Sequence, residues 1–117
     1  MPNGHAMPTY LVNAFSLSML SQYPALVKVE EVTREEFCSE ASSATSAIGH
    51  QGTAAVLSQL CGFPIQANRT SIQLQRGDVA LVFQLLVRLE EGRILTAQEV
   101  EALLAQGRVK FLRVTVL

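Results

Sequence analysis

His50 stands between two glycines, Gly49 and Gly52, ahead of an amphipathic run, in the stretch Ser46–Gly62 that reads SAIGHQGTAAVLSQLCG. An imidazole is the side chain whose proton comes and goes near neutral pH. A helix start presents backbone N–H groups with no intrahelical acceptor and the positive end of the helix dipole, which suit an anion such as phosphate. Glycines here let a ligand approach the backbone closely. The chemistry on offer is therefore proton transfer beside a phosphate cradle. Other polar residues are dispersed along the chain: Asn13 and Ser16 in LVNAFS, Gln84 and Arg88 in the apolar run VALVFQLLVRL, Glu91 in the turn that follows, and Arg69 after Asn68. Each has a plain reading as well. His50 serves equally as a structural histidine, Asn13 and Ser16 as turn and cap residues, Arg69 as a surface cation, and Arg88 with Glu91 as an ion pair.

Periodicity gives the elements that must position these residues. Thr9–Phe15 (TYLVNAF) is expected as a strand, and Ser16 as the cap of a short helix that Tyr23-Pro24 ends. Ala25–Val32 is a second strand. Thr33 and Glu36 form a capping box that starts a helix through about Ala41. After a polar connection, the stretch from Ser46 opens as the end of a buried strand, followed by a tight turn carrying His50. The helix after His50 puts Ala54, Leu57, Leu60 and Cys61 on one face and stops at Gly62. Phe63–Ala67 reads as a short extended piece. Thr70–Gln75 alternates, and Arg76-Gly77-Asp78 turns, so this segment is expected to form a hairpin with a long central strand, Val79–Leu89. Four apart on that strand, Gln84 and Arg88 should share a face, where both need partners. Glu90-Glu91-Gly92 turns the chain, a second capping box (Thr96, Glu99) opens a helix ending at Gly107, and Arg108–Leu117 is the last strand. The class is α+β: a mixed sheet of about five strands with flanking helices, in one domain over residues 8–117. Residues 1–7 read as a disordered tail or expression remnant, and His5 has no role.

Composition narrows the function classes. Apolar residues make up 49% and charged residues 16%, greasy enough that part of the surface should be buried in an oligomer. The longest apolar run, Val79–Phe83, is too short for a membrane span, and no signal-peptide pattern opens the chain. A net charge of −1 gives no field for long nucleic acid. With two cysteines, Cys38 and Cys61, a disulfide framework is not expected; both read as small core residues of a cytoplasmic chain. Asp78 is the sole aspartate, and there is no CxxC pair, phosphate-binding P-loop or GxSxG elbow, so no metal or cofactor is expected.

Taken together the motifs identify a resemblance. LVNAFS (Leu11–Ser16), EEFC (Glu35–Cys38), AIGH (Ala47–His50), LCG (Leu60–Gly62), NR (Asn68-Arg69), RLEEG (Arg88–Gly92) and the ending from Gln106 to Phe111 occur in order from about Tyr10 to Val116. In this the chain resembles the small viral type III anti-CRISPR ring nucleases, which destroy the cyclic tetra-adenylate messenger, and their bacterial relatives. The resemblance implies a homodimer enclosing the ring at its two-fold axis, with His50 as the catalytic residue. It also implies substrate contacts from Asn13, Ser16, Gly49, Arg69, Gln84, Arg88 and Glu91. The family pattern carries an acidic and then a hydroxyl residue after the histidine; here Gln51 and Gly52 stand instead. Two copies each of Arg69 and Arg88 would offset four phosphates despite the near-neutral chain.

The mechanism so implied needs no metal. A ribose 2′-OH attacks its own adjacent phosphorus, protonated His50 donates to the departing 5′-oxygen, and Arg69 or Arg88 stabilises the charge that develops. Linear oligoadenylates with 2′,3′-cyclic phosphate ends result. The alternative is a non-catalytic module that sequesters or senses the same nucleotide, and the Gln51-Gly52 departure favours it. A third reading, a dimeric DNA-binding protein, conflicts with the charge and with the lack of a basic recognition helix.

Overall fold

A computed structural model describes residues 8–90 and 92–117. A five-stranded mixed sheet forms the frame, built from β1 (Thr9–Val12), β2 (Val27–Glu31), β3 (Thr45–Ser46), β4 (Val79–Leu85) and β5 (Val109–Val116). The strand order is β2-β5-β4-β1-β3. β1 runs parallel to both β3 and β4, while β5 is antiparallel to β4 and β2. The α+β class and the mixed sheet expected from the sequence are both present. Residues 1–7, with His5, lie outside the described residues, and so does Glu91.

Each helix begins where its cap says. α1 (Arg34–Ala41) and α3 (Ala97–Ala105) open on complete capping boxes, Thr33 with Glu36 and Thr96 with Glu99. α2 (Gln51–Cys61) ends at Gly62, whose φ of +79° is the left-handed geometry that glycine adopts without a Cβ penalty. Ser16 caps a 3₁₀ turn, Leu17–Met19, in place of the short helix.

The central strand is buried on both faces, with Ala80–Phe83 all inside. On one face the three helices cover Leu11, Leu81 and Phe83, and a trio of tilted rings, Phe37, Phe83 and Phe111, fills the middle with centroids 5.2–6.5 Å apart. On the other, Val12, Val82 and Val114 are covered by Leu20, Ile72 and Leu74.

Three expectations are corrected. Thr70–Gln75 is no hairpin arm: its alternation buries Ile72 and Leu74 against the outer face of the sheet. It pairs with the 3₁₀ segment through one parallel bridge, Leu20 to Leu74, while β4 takes β1 and β5 as neighbours. The long strand stops at Leu85 rather than Leu89, just before the Leu86 N–H reaches the Arg108 carbonyl. Arg88 therefore lies in the loop after the strand, and its shared face with Gln84 is lost. Cys38 and Cys61 are not separate core thiols. The last turns of α1 and α2 lie side by side, their Cα atoms are 5.2 Å apart, and the sulfurs form a disulfide. Arg34 Nε donates to the Leu60 carbonyl at 2.8 Å beside it.

Candidate functional site

His50 is the N-cap of α2. Its backbone is extended (φ −131°, ψ 117°), its carbonyl accepts from the Ala54 N–H at 3.1 Å, and its Nδ1 accepts from the Thr53 N–H at 3.2 Å. The Thr53 hydroxyl is also 3.2 Å from Nδ1. The ring thus does the work that an Asp or Ser side chain does at most helix starts, and it is half-buried. Gly52 makes room for it: a Cβ there would stand 3.1 Å from His50 Cε1 and 3.2 Å from Leu89 Cδ1.

Two neighbouring loops are stitched onto this start. Asn13, one residue past β1, accepts the Gly49 N–H on its Oδ1 at 3.2 Å. Asn68 donates its backbone N–H to the Ile48 carbonyl (2.7 Å) and its Nδ2 to the Ser46 carbonyl (2.8 Å), while Ser46 Oγ donates to the Gln66 carbonyl (2.6 Å). This tether delivers Arg69 to Gly49, where a Cβ would meet Arg69 Cγ at 3.5 Å. The Asn-Arg pair of the sequence therefore has two jobs, one residue anchoring and the next presenting a guanidinium.

The loop between β4 and α3 closes the other side. Arg88, Leu89, Glu90 and Arg93 line a depression of about 880 Å³ with Gly49, His50 and Arg69. A smaller one of about 370 Å³ adjoins it and holds Asn13, Thr53 and Leu85, and His50, Arg88 and Leu89 line both. The imidazole stands at their common wall. Three arginines against one described carboxylate, Glu90, make this a surface suited to a small polyanion. Arg93 is itself ion-paired to Glu99, the residue that completes the α3 capping box. The Thr96 backbone N–H first, and Arg93 after it, hold the Glu99 carboxyl below its ordinary range. Among the described residues no group of three His, Cys, Asp or Glu side chains is placed to hold a metal.

Of the residues singled out in the sequence, Asn13, Gly49, His50, Arg69 and Arg88 come together here. Ser16 lies apart from these lining residues, its Oγ accepting the Ser18 N–H at 3.3 Å as the cap of the 3₁₀ turn. Gln84 is exposed and pairs in register with Lys110; alternation along β4 turns it to the sheet face opposite Leu85 and the helices. Glu91 is outside the described residues. Sequence reading missed Thr53, Leu89 and Arg93. For Arg93 a signal existed, since it sits three residues ahead of the Thr96 cap; for Thr53, three residues after a histidine N-cap, the signal was the capping distance itself.

Residues 9–111 match the protein family described as STIV B116-like. Relatives include the uncharacterised protein ORF116 of Acidianus filamentous virus 1, 31% identical over 89% of this chain and 91% of its own length. Another is the uncharacterised protein ORF117 of Acidianus two-tailed virus, 37% identical over 80% of this chain and 83% of its own. Among solved structures, B116 of Sulfolobus turreted icosahedral virus superposes with a TM-score of 0.81 at 33% identity, covering 92% of this chain and 98% of that one. No helix among the described residues is long and apolar enough to cross a membrane.

Proposed function

The chain belongs to the STIV B116-like family, and from that premise we propose that it is a metal-independent ring nuclease that cleaves cyclic tetra-adenylate and so switches off type III CRISPR signalling. One observation carries the reading: His50 stands at the common wall of two adjoining depressions, with Arg69 lining one and Arg88 lining both. A proton donor is thereby set among cations at a helix start, which is what breaking a phosphodiester without a metal requires.

In the reaction the ribose O2′ bonds to its adjacent phosphorus as the bond from phosphorus to O5′ breaks. The O2′ proton passes to water, and His50 delivers one to O5′, leaving a 2′,3′-cyclic phosphate on a linear oligoadenylate. Arg88 and Arg69 face the non-bridging oxygens, where charge grows. A single protomer brings few guanidinium groups to a ring with four phosphates, so the active species is a two-fold pair that doubles them.

The test is incubation of labelled cyclic tetra-adenylate with excess EDTA, wild type beside His50→Ala. Wild type should give linear products with cyclic phosphate ends, and the variant should be slower by about 10²–10³-fold, the typical worth of a positioned acid. An intact ring, or equal rates, refutes the mechanism. Tight binding of the ring with no turnover establishes the sequestering module instead.

A further inference from the structure

We propose that Thr53 is the positioning residue for His50, partnering Nδ1 in either protonation state and leaving Nε2 as the nitrogen that gives its proton to the substrate. This rests on the catalytic reading of His50 given above. The argument begins with a donor whose identity is not in question. A backbone N–H can only donate, so the Thr53 N–H, 3.2 Å from Nδ1, makes that nitrogen an acceptor. The neutral ring must then carry its proton on Nε2. A ring with the opposite tautomer would point Nδ1–H at an N–H, losing the cap and leaving a helix-start donor unpaired.

The same residue also serves the charged ring. When Nδ1 takes up a proton from water it gives up the bond from the Thr53 N–H and needs an acceptor instead, and Thr53 Oγ1 lies at the same 3.2 Å. Transfer of the Nε2 proton to the leaving oxygen then yields a neutral ring still protonated on Nδ1, and that proton also rests on the hydroxyl. Return to the starting tautomer closes the cycle. One ring nitrogen thus meets a donor and an acceptor from one residue. Thr53 is only 6% exposed, so packing holds its hydroxyl beside the ring.

Among the described residues, Thr53 alone is placed to partner Nδ1. The ring's Cε1 edge faces Gly52, and the charged groups lining the adjoining depressions come from separate segments: Arg69 from the loop after α2, and Arg88, Glu90 and Arg93 from the loop after β4. The arginines among them are the groups offered to an anionic ligand. Orientation of the imidazole is left to Thr53.

The experiment reads the His50 ring directly, with the protein alone. Long-range proton–nitrogen correlation spectra at alkaline pH should show wild-type His50 as the Nε2–H tautomer. At acid pH the Nδ1–H proton should be protected from solvent exchange in wild type and in Thr53→Ser, and exchange freely in Thr53→Val. With cyclic tetra-adenylate, Thr53→Val should lose about tenfold to a hundredfold in kcat, with KM changed less than twofold, and Thr53→Ser should recover most of it. A wild-type ring in the Nδ1–H tautomer overturns the proposal without any variant, and so does a Thr53→Val ring whose spectra match wild type. If the spectra follow the expectation and the nucleotide is not cleaved, the positioning stands and the nuclease reading fails.

Discussion

Gly52→Ala separates what α2 needs from what the site needs. Gly52 is in the first turn of α2 with ordinary helical backbone, so alanine is unstrained there and should gain up to about 0.5–1 kcal/mol in helix propensity. The new methyl would stand 3.1 Å from His50 Cε1, 3.2 Å from Leu89 Cδ1 and 3.4 Å from the Arg93 carbonyl oxygen. Two of these three are short for a carbon contact by a few tenths of an ångström. Both side chains are half-buried rather than enclosed in the core, so the crowding cost should not exceed the propensity gain. The imidazole must swing by that same small amount. Since a misplacement of about 1 Å costs around a hundredfold, a shift of this size should, on the proposed ring-nuclease reading, lower kcat on cyclic tetra-adenylate by about threefold to tenfold. Urea unfolding and single-turnover cleavage, run on the same preparation, measure the two effects. Unchanged cleavage, or a stability loss above about 1 kcal/mol, would show that the ring is not seated against Gly52 as described.

Two further outcomes concern the scaffold. Reducing the Cys38–Cys61 bridge, which closes a sequence separation of 23, should cost about 3 kcal/mol by the loop-closure estimate, read as a lower urea midpoint in dithiothreitol and in Cys38→Ser/Cys61→Ser. No change in midpoint would mean that the bridge is absent in solution or that the reduced chain keeps the same order. The second outcome is a pH dependence. Glu36 is held below its ordinary value of 4.5, first by the Thr33 backbone N–H and then by the Thr33 hydroxyl, and Glu99 is held down in the same way by Thr96. A carboxyl depressed by folding contributes stability that is fully present above its ordinary value and lost as pH falls through the depressed one. The urea midpoint should therefore fall below about pH 4.5, less so in Glu36→Gln/Glu99→Gln, and equal slopes would refute the capping role.

What the sequence determined by itself was local. Both capping boxes, the Gly62 stop, the doubly buried core of β4 and the histidine ahead of α2 follow from neighbouring residues, because caps and periodicity act over three or four positions. These were legible, and with them the α+β class. Only the tertiary structure decided the partners. TSIQLQ carries the alternation of a strand, yet alternation says only that one side is buried and not against what, so the segment covers the sheet instead of extending it. Cys38 and Cys61 pair because two helix ends meet, a fact no spacing encodes. Gln84 and Arg88 parted company when the ladder ended at Leu85, which depends on where β5 begins across the sheet. The site divides in the same way: the sequence supplied His50 and its helix, and three separate chain segments closing on Gly49 supplied Asn13, Arg69 and Arg88 around it.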